Sequence, residues 1–187
     1  MLFIKKAKKV LMRAIIITLK GKEAYARYLG VKVGDDCRIY ITDFGSEPFF
    51  ISIGNKVTVA HGVRIITHDG STWLIRDSLG RRYHYQRVVI GNNVFIGMDC
   101  VILPGVKVGN NVLIGAGSVV TKSIPDDHIV AGNPARIIGR FSDYKKRALS
   151  NFPSDKEIDI TDSYYDRVNK MLDKSFKKEM MSYEKFS

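Results

Sequence analysis

Histidine is the side chain best suited to proton transfer near neutral pH, and this 187-residue chain has four of them. An imidazole ordinarily changes charge near pH 6.5, so it can take a proton from a weakly acidic hydroxyl and pass it to a leaving group. His68 stands in the run Thr67-His68-Asp69, where a regular repeat ends and a polar stretch begins. Its position makes it a candidate for such chemistry, although a lone histidine beside a loop is more often a surface or core residue.

The remaining histidines and the two cysteines are expected to be structural. His61 closes a repeat and either borders the same cleft or, as we favour, is a corner residue bonded locally. His84 and His128 are interpreted as solvated loop residues. Cys37 and Cys100 form neither a CxxC pair nor a metal-ligand spacing, which argues against a disulfide framework or a structural zinc site. We interpret both as small side chains that face the core.

The elements that would position His68 follow from a six-residue repeat. Residues 88–123 divide into the hexads VVIGNN, VFIGMD, CVILPG, VKVGNN, VLIGAG and SVVTKS. The third residue of each hexad is Ile or Val, and Gly follows it in four of them. Because β-branched residues favour extended backbone and Gly tolerates tight turns, each hexad predicts a short strand and a corner. Three hexads would form one coil, with Gly91 stacked on Gly109 and Gly97 on Gly115.

The same repeat occupies residues 31–42 and 51–68, with two interruptions. The segment 43–50 is two residues too long for a hexad. The segment 69–87 carries no hexad pattern, and removing it restores the phase of the repeat. It is therefore predicted to be a loop inserted into a rigid coil, and such loops often carry function.

The net charge of +11 is concentrated at the N-terminal end of the chain. Residues 1–32 hold nine Lys and Arg against one Glu, whereas residues 33–139 hold ten against nine acidic residues. The surface of the main body is therefore not expected to be uniformly basic, and the sequence has no nucleic-acid-binding motif. We expect no nucleic-acid partner.

The two flanking segments are predicted to be helical. Residues 1–30 read as an amphipathic arm, because apolar residues recur at helical spacing with the lysines mostly off that stripe. Either the arm packs on the body or a neighbouring subunit, which we favour, or residues 1–20 lie on an anionic membrane surface. The apolar run is too short to span a bilayer and no signal-peptide cleavage pattern follows, so we expect a cytoplasmic protein. Residues 141–187 are predicted to form a helical tail that caps the coil.

A family resemblance rests on the hexads, on THDG at 67–70 and on IGAGSVVTKSIPDDHIVAGNPARII at 114–138. These stretches resemble the hexapeptide-repeat acyltransferases, above all the sugar and polysaccharide O-acetyltransferases and their xenobiotic-acetylating relatives. The resemblance implies a mainly β fold, with a left-handed parallel β-helix domain across residues 31–140, an exception to the usual right-handed crossover. It also implies a homotrimer with acetyl-CoA as co-substrate in the seam between subunits, and no required metal.

The resemblance also assigns roles to single residues. His68 matches the family's general base, and Asp69 or a backbone carbonyl would orient its imidazole. Phe95 matches an aromatic beside the reaction centre, and the backbone N–H of Met98, after Gly97, would meet the thioester carbonyl. Further cofactor contacts are implied for two small residues along the pantetheine arm and for polar or basic residues near the phosphates: Gly115, Ala116, Thr121, Lys122 and Arg136. For Ala116 and Thr121, simple coil packing is an equal alternative.

The implied acceptor is a hydroxyl of a sugar or polysaccharide unit, held in part by the loop 69–87. The candidate acceptor contacts are Asp69, Trp73, Tyr83 and Tyr85. Trp73, the only Trp, could stack on a sugar ring or anchor the loop to the coil. Arg81 and Arg82, interleaved with tyrosines, would suit an anionic glycan or the phosphates of a neighbour's cofactor, although a solvated loop tip is the simpler interpretation.

Other functions on the same scaffold stay open. A xenobiotic or amino-sugar acetyltransferase would use the same parts. A metal enzyme like the trimeric carbonic anhydrases would need about three histidines that converge between subunits, and only His61 and His68 are near each other in sequence. A non-catalytic glycan-binding module is the third alternative. Acetyl transfer to a sugar hydroxyl is the function that we predict.

Overall fold

The core of the molecule is the column of residues at the third hexad positions. The computed structural model describes residues 2–179, with side chains from residue 10 onward. None of the nine residues in this column is more than 4% exposed: Ile53, Val59, Ile65, Ile90, Ile96, Ile102, Val108, Ile114 and Val120. The prediction of a buried Ile/Val column is confirmed.

Short strands run from one hexad to the next and form the faces of a coil. The strands are β1 (Lys32–Val33), β2 (Arg38–Ile39), β3 (Ile51–Ile53), β4 (Val57–Val59), β5 (Arg64–Ile65), β6 (Arg76–Asp77), β7 (Gly80–Arg81), β8 (Val88–Ile90), β9 (Val94–Ile96), β10 (Val101–Ile102), β11 (Lys107–Val108), β12 (Val112–Ile114), β13 (Val119–Val120), β14 (His128–Ala131) and β15 (Arg136–Arg140). The first face has the order β1-β3-β8-β11, the second β2-β4-β9-β12-β14, and the third β5-β10-β13. All neighbours within these faces are parallel, and β15 pairs antiparallel with β14. Every third hexad returns to the same face, as the repeat predicts.

The strand register shows that the coil continues across the inserted loop. Ile53 pairs with Ile90, and Ile90 pairs with Val108. The chain therefore resumes the same face after residues 69–87, in the phase that the hexads predict.

The corner between the first and second faces is too tight for side chains at its glycines. A Cβ on Gly91 would lie 2.6 Å from the carbonyl oxygen of Gly109. Beside them, the Asn92 N–H donates to Oδ1 of Asn110 at 2.8 Å, so a ladder of asparagines satisfies backbone donors that the corner leaves unpaired. The predicted stacking of equivalent corner residues is confirmed.

The N-terminal helix α1 spans Leu2–Leu29 and is interrupted at Gly21, whose φ of 83° and ψ of 174° are not helical. After this interruption, Tyr25 and Ala26 are buried, and Ala26 joins the core of the coil. Arg27 donates to the carbonyl oxygen of Gly34 at 2.6 Å. The last two turns of α1 thus cover the beginning of the coil.

The inserted loop contains a 3₁₀ helix, Gly70–Leu74, and a hairpin of β6 and β7. Its two ends meet beside His68. The Gln86 N–H donates to the carbonyl oxygen of Thr67 at 2.8 Å, and His68 forms an isolated antiparallel bridge with Tyr85. The loop therefore projects from the coil as predicted, and its two ends are joined next to His68.

The tail consists of helix α2 (Phe141–Asn151), a 3₁₀ helix (Asp155–Glu157) and helix α3 (Tyr164–Lys170). The chain divides into two compact units between Lys146 and Arg147. In the second unit, Oγ of Ser163 accepts the Asp166 N–H and caps α3. No described helix combines the length and apolar character needed to cross a membrane.

Candidate active site

His68 lies beside a carboxylate that fixes its imidazole. Nδ1 of His68 is 2.8 Å from Oε2 of Glu47, and the Thr67 hydroxyl donates to the same oxygen at 2.7 Å. A carboxylate can only accept, so Nδ1 carries the proton and Nε2 carries the lone pair. The His68 side chain is 38% exposed and the Glu47 side chain 14%. Nε2 is therefore the nitrogen available to a substrate.

Glu47 reaches His68 from the interruption at residues 43–50. Phe44, which is 1% exposed, anchors this segment in the core. A 3₁₀ helix, Pro48–Phe50, follows Glu47, and the Phe50 N–H donates to the Glu47 carbonyl at 3.0 Å. The two extra residues of this segment thus form the bulge that brings the carboxylate onto the imidazole.

The charge of Glu47 is maintained by its hydrogen bonds. Burial alone would raise the pKa of Glu47, but the hydrogen bonds from Thr67 and His68, with the attraction of a protonated His68, outweigh burial and lower the pKa below its ordinary 4.5. Glu47 is therefore ionised at neutral pH and stabilises a positive charge on His68.

Asp69 has a different partner from the one expected. Its Oδ1 accepts from the N–H and hydroxyl of Ser71, at 2.9 and 2.6 Å, and caps the 3₁₀ helix of the loop. These hydrogen bonds lower the pKa of Asp69. The hypothesis that Asp69 or a backbone carbonyl orients His68 was wrong, because Glu47 holds Nδ1. Sequence reasoning missed Glu47, although the overlong segment that contains it was a usable signal.

An open groove of about 510 Å³ ends at His68. It is lined by residues of two successive coils, 40–46 and 62–68, among them Tyr40, Asp43, Arg64 and Thr67. The groove offers polar and apolar contacts to a ligand whose reacting group lies at Nε2.

The corner that follows the third face, the His68 edge, is formed by residues 66–68, 103–105 and 121–123. Ile65, Ile102 and Val120 are in register, so Lys122 lies two strands along the coil from Thr67, roughly 10 Å away. Thr121, Lys122 and Arg136 together line a recess of about 300 Å³. The structure thus brings these three predicted cofactor residues together, on the same edge as His68.

The corner that precedes the third face, the Met98 edge, is formed by residues 60–62, 97–99 and 115–117. A Cβ on Gly97 would lie 2.5 Å from the Ala116 nitrogen, so the two corners are in close contact. Phe95, on the second face, and Met98 are 42% and 53% exposed. The Met98 carbonyl accepts the Gly117 N–H at 2.8 Å, whereas the Met98 N–H has no acceptor within the described part of the chain. That N–H is available to an oxyanion.

Within a single chain, the two edges lie apart from each other. They bound opposite sides of the third face, and their centres are six residues apart along the chain, which is at most roughly 20 Å at about 3.3 Å per residue. Met98 and His68 of one chain therefore lie on opposite sides of the third face.

His61, His128 and Cys100 have structural surroundings. His61 lies on the Met98 edge and packs on Tyr40, with ring centroids 5.1 Å apart. His128 begins β14, with Nδ1 2.7 Å from the Asp126 carbonyl oxygen, so the prediction of a loop was wrong for this residue. Cys100 is fully buried, and burial raises the pKa of its thiol. Across residues 2–179, no three His, Cys, Asp or Glu side chains are grouped as metal ligands.

The aromatic residues of the loop are exposed. Trp73, Tyr83 and Tyr85 are 57%, 62% and 47% exposed. Trp73 therefore does not anchor the loop by burial in the coil. Tyr85 lies next to His68, with ring centroids 5.9 Å apart. The predicted acceptor contacts of the loop therefore extend up to the imidazole.

Comparison with known proteins gives consistent relatives. The family model described as bacterial transferase hexapeptide (six repeats) matches residues 87–122. Protein CapG of Staphylococcus aureus is 44% identical over 153 residues, which are 80% of this chain and 89% of that protein. Galactoside O-acetyltransferase of Escherichia coli K12 is 40% identical over 101 residues, and the match covers 54% of this chain and 49% of the enzyme.

A solved structure shows the same relationship. The maltose O-acetyltransferase from Clostridium difficile 630 has a TM-score of 0.50 and 34% identity, and 59% of each chain is covered. The match to both named sugar acetyltransferases thus spans about half to three fifths of their lengths.

Proposed function

Because the chain belongs to the bacterial hexapeptide-repeat transferases and is an acetyltransferase of that family, we propose that it moves an acetyl group from acetyl-CoA to a hydroxyl of a sugar or polysaccharide unit. The observation that carries this proposal is the His68–Glu47 pair at the end of an open groove. The named activities of two relatives, on a galactoside and on maltose, support a sugar hydroxyl as acceptor.

His68 is the general base in this proposal. Nε2 takes the proton of the acceptor hydroxyl as its oxygen attacks the thioester carbonyl carbon. The C–S bond then breaks, and the proton on Nε2 passes to the leaving sulfur. Glu47 keeps Nδ1 protonated and offsets the positive charge that His68 carries between the two transfers.

The cofactor residues of the two edges belong to one site if two chains meet. The oxyanion would be stabilised by the Met98 N–H, beside Phe95 and Gly97, while the small Gly115 and Ala116 let the pantetheine arm approach the coil. Phosphates would meet Thr121, Lys122 and Arg136. Since one chain holds the edges on opposite sides of the third face, we infer a homotrimer of left-handed coils in which the Met98 edge of one chain faces the His68 edge of the next.

The acceptor would lie between the groove and the inserted loop. Asp69, Trp73, Tyr83 and Tyr85 are the loop residues proposed to contact it. The exposed rings have apolar faces suited to the C–H face of a sugar, and Tyr and Trp also supply hydrogen-bonding groups.

The experiment that tests this function is thiol release from acetyl-CoA with a panel of mono- and oligosaccharides. His68→Ala should lower acceptor-dependent release by about 10²–10⁴-fold, because the general base is lost. His128→Ala, far from the proposed chemistry along the coil, is the matched control and should retain turnover. Near-normal turnover of His68→Ala would refute the role of His68.

A further inference from the structure

Aromatic rings and arginines of the inserted loop form a continuous stack that starts at His68. Tyr85 packs beside His68, and Tyr83 stacks on Tyr85 with centroids 6.2 Å apart and ring planes 10° apart. The Arg81 guanidinium lies 4.6 Å from the Tyr83 ring and 4.9 Å from the Trp73 ring. We call the stack from Tyr85 through Tyr83 and Arg81 to Trp73 the loop ladder.

The loop ladder carries positive charge without a matching acid. The Arg76 guanidinium lies 4.6 Å from the Trp73 ring, at the end of the loop ladder away from His68. Neither Arg76 nor Arg81 forms an ion pair with any described residue, and the nearby Asp77 pairs with Arg82 instead. Nε of Arg81 is buried without a hydrogen-bond partner among residues 10–179.

These features define a ligand by its chemistry. The exposed Trp73, Tyr83 and Tyr85 offer apolar surface and hydrogen-bonding groups to successive sugar units, and guanidinium groups recognise carboxylates or phosphates. We propose that the loop ladder binds an acidic oligosaccharide that leads away from the acetylated unit at His68. This inference rests on the proposed function and deepens it, since the acceptor becomes a chain of several sugars with anionic groups.

Trp73 supplies a direct probe, because it is the only Trp of the chain. A hyaluronan tetrasaccharide should change its fluorescence saturably, whereas neutral maltotetraose should change it much less. Arg76→Gln with Arg81→Gln should weaken hyaluronan binding at least about tenfold, since charge-assisted hydrogen bonds are lost. Arg82→Gln, in the same hairpin but paired with Asp77, is the matched control and should bind normally.

Two outcomes would overturn the loop ladder proposal. One is that the wild-type protein binds the acidic and the neutral tetrasaccharide equally well, or binds neither of them. The other is quenching by CoA alone that the Arg76 and Arg81 substitutions abolish, which would assign the arginines to cofactor phosphates. Fluorescence reports binding without turnover, so loss of the proposed acetyl transfer with intact hyaluronan binding would leave this inference standing.

A second, independent observation concerns the part of α1 before Gly21. Its apolar side chains are on the outside: Val10 is 68% exposed, Leu11 61%, Ile15 42% and Leu19 75%. At 100° per residue these four positions and Ala14 occupy one half of the helix circumference. Arg13, which donates to Oγ1 of Thr42 at 2.7 Å, and the partly buried Ile16 and Ile17 lie on the other half, which faces the coil. An apolar helix face of this size without a partner marks an interaction surface.

The charge of this segment distinguishes between a second copy of the chain and a lipid surface as its partner. Residues 1–20 contain six Lys and Arg and no acidic residue. A second copy of such a segment would be repelled, whereas an anionic lipid surface attracts it by about 1 kcal/mol for each basic residue near the surface. We infer that the arm before Gly21 lies on an anionic membrane surface, with the exposed apolar half of residues 10–20 toward the lipid.

Cosedimentation of the full-length protein with vesicles tests this inference. Vesicles containing phosphatidylglycerol should retain the protein at low salt, and phosphatidylcholine vesicles should not. Leu11→Asp with Leu19→Asp should lower the bound fraction at least about tenfold, whereas Leu149→Asp, an equally exposed Leu outside the arm, should leave it unchanged. Unchanged binding of the arm variant would overturn the inference. So would a loss of oligomer by this variant in sedimentation velocity, because the apolar face would then be a subunit contact.

Discussion

Among single residues, Glu47 determines how His68 can act. An isolated imidazole exchanges its proton between two nitrogens, and only one tautomer leaves Nε2 free as a base. The Glu47 carboxylate selects that tautomer, and the Thr67 hydroxyl holds the carboxylate in place. Glu47 is thus a positioning residue that acts through His68.

Replacement of Glu47 by Gln should reduce kcat strongly. An amide can donate to Nδ1 and so favour the wrong tautomer, and it cannot offset the charge of the imidazolium. We expect a fall of about 10²–10⁴-fold in kcat with a nearly unchanged KM for acetyl-CoA. Steady-state kinetics measure both constants, and Glu47→Asp should recover part of kcat. If Glu47→Gln and Glu47→Asp instead raised KM equally and left kcat unchanged, Glu47 would be assigned to ligand binding.

The lowered pKa of Glu47 also predicts a pH-dependent stability. Because the folded-state pKa lies below the ordinary 4.5, the contribution of Glu47 is complete above that value and disappears as the pH falls through the folded-state pKa. The difference in Tm between wild type and Glu47→Gln should therefore be full above pH 4.5 and shrink as the pH falls below it. A difference that grows on acidification would contradict the assigned hydrogen bonds.

The sequence predicted one half of this pair and missed the other. His68 lies where the hexads break, so its place could be found by counting. Glu47 is 21 residues earlier, and periodicity says nothing about where a bulge directs a side chain. Only the folded segment 43–50 shows which carboxylate reaches Nδ1.

At the scale of the elements, close backbone contact at the corners keeps the coils in register. Gly91→Ala should destabilise the protein by about 1–3 kcal/mol, because a Cβ there would lie 2.6 Å from the Gly109 oxygen and the backbone would have to shift. Gly70→Ala is the matched control, since a Cβ at Gly70 has no neighbour within 4 Å. Thermal unfolding compares the two, and an equal Tm for both variants would contradict the tight corner.

The element arrangement was largely predictable, and its interruptions were not. Each hexad is a local rule of residue size and turn formation, so strands, faces and register followed from the repeat. The break in α1 at Gly21 and the hairpin within the loop depend on contacts between residues that no short period relates. The same holds for the loop ladder, whose members come from the 3₁₀ helix, from β7 and from the segment after β7.

At the scale of the whole molecule, the parts of the proposed site are distributed over two edges of one coil. The His68 edge carries the base and the basic recess, and the Met98 edge carries the free N–H and the small residues. We therefore expect catalysis between chains, with three equivalent sites in the proposed trimer.

Complementation between two inactive variants tests this claim most directly. His68→Ala removes the base, and Ala116→Trp places a large side chain on the exposed Met98 edge, where it would block the pantetheine path. Co-expressed and copurified, the two chains should form mixed trimers in which about a quarter of the sites combine an intact His68 with an intact Met98 edge. We predict that thiol release, nearly absent in either variant alone, returns to about a quarter of the wild-type rate. Mixed trimers no more active than the separate variants would show that each chain carries its own complete site and would contradict the account.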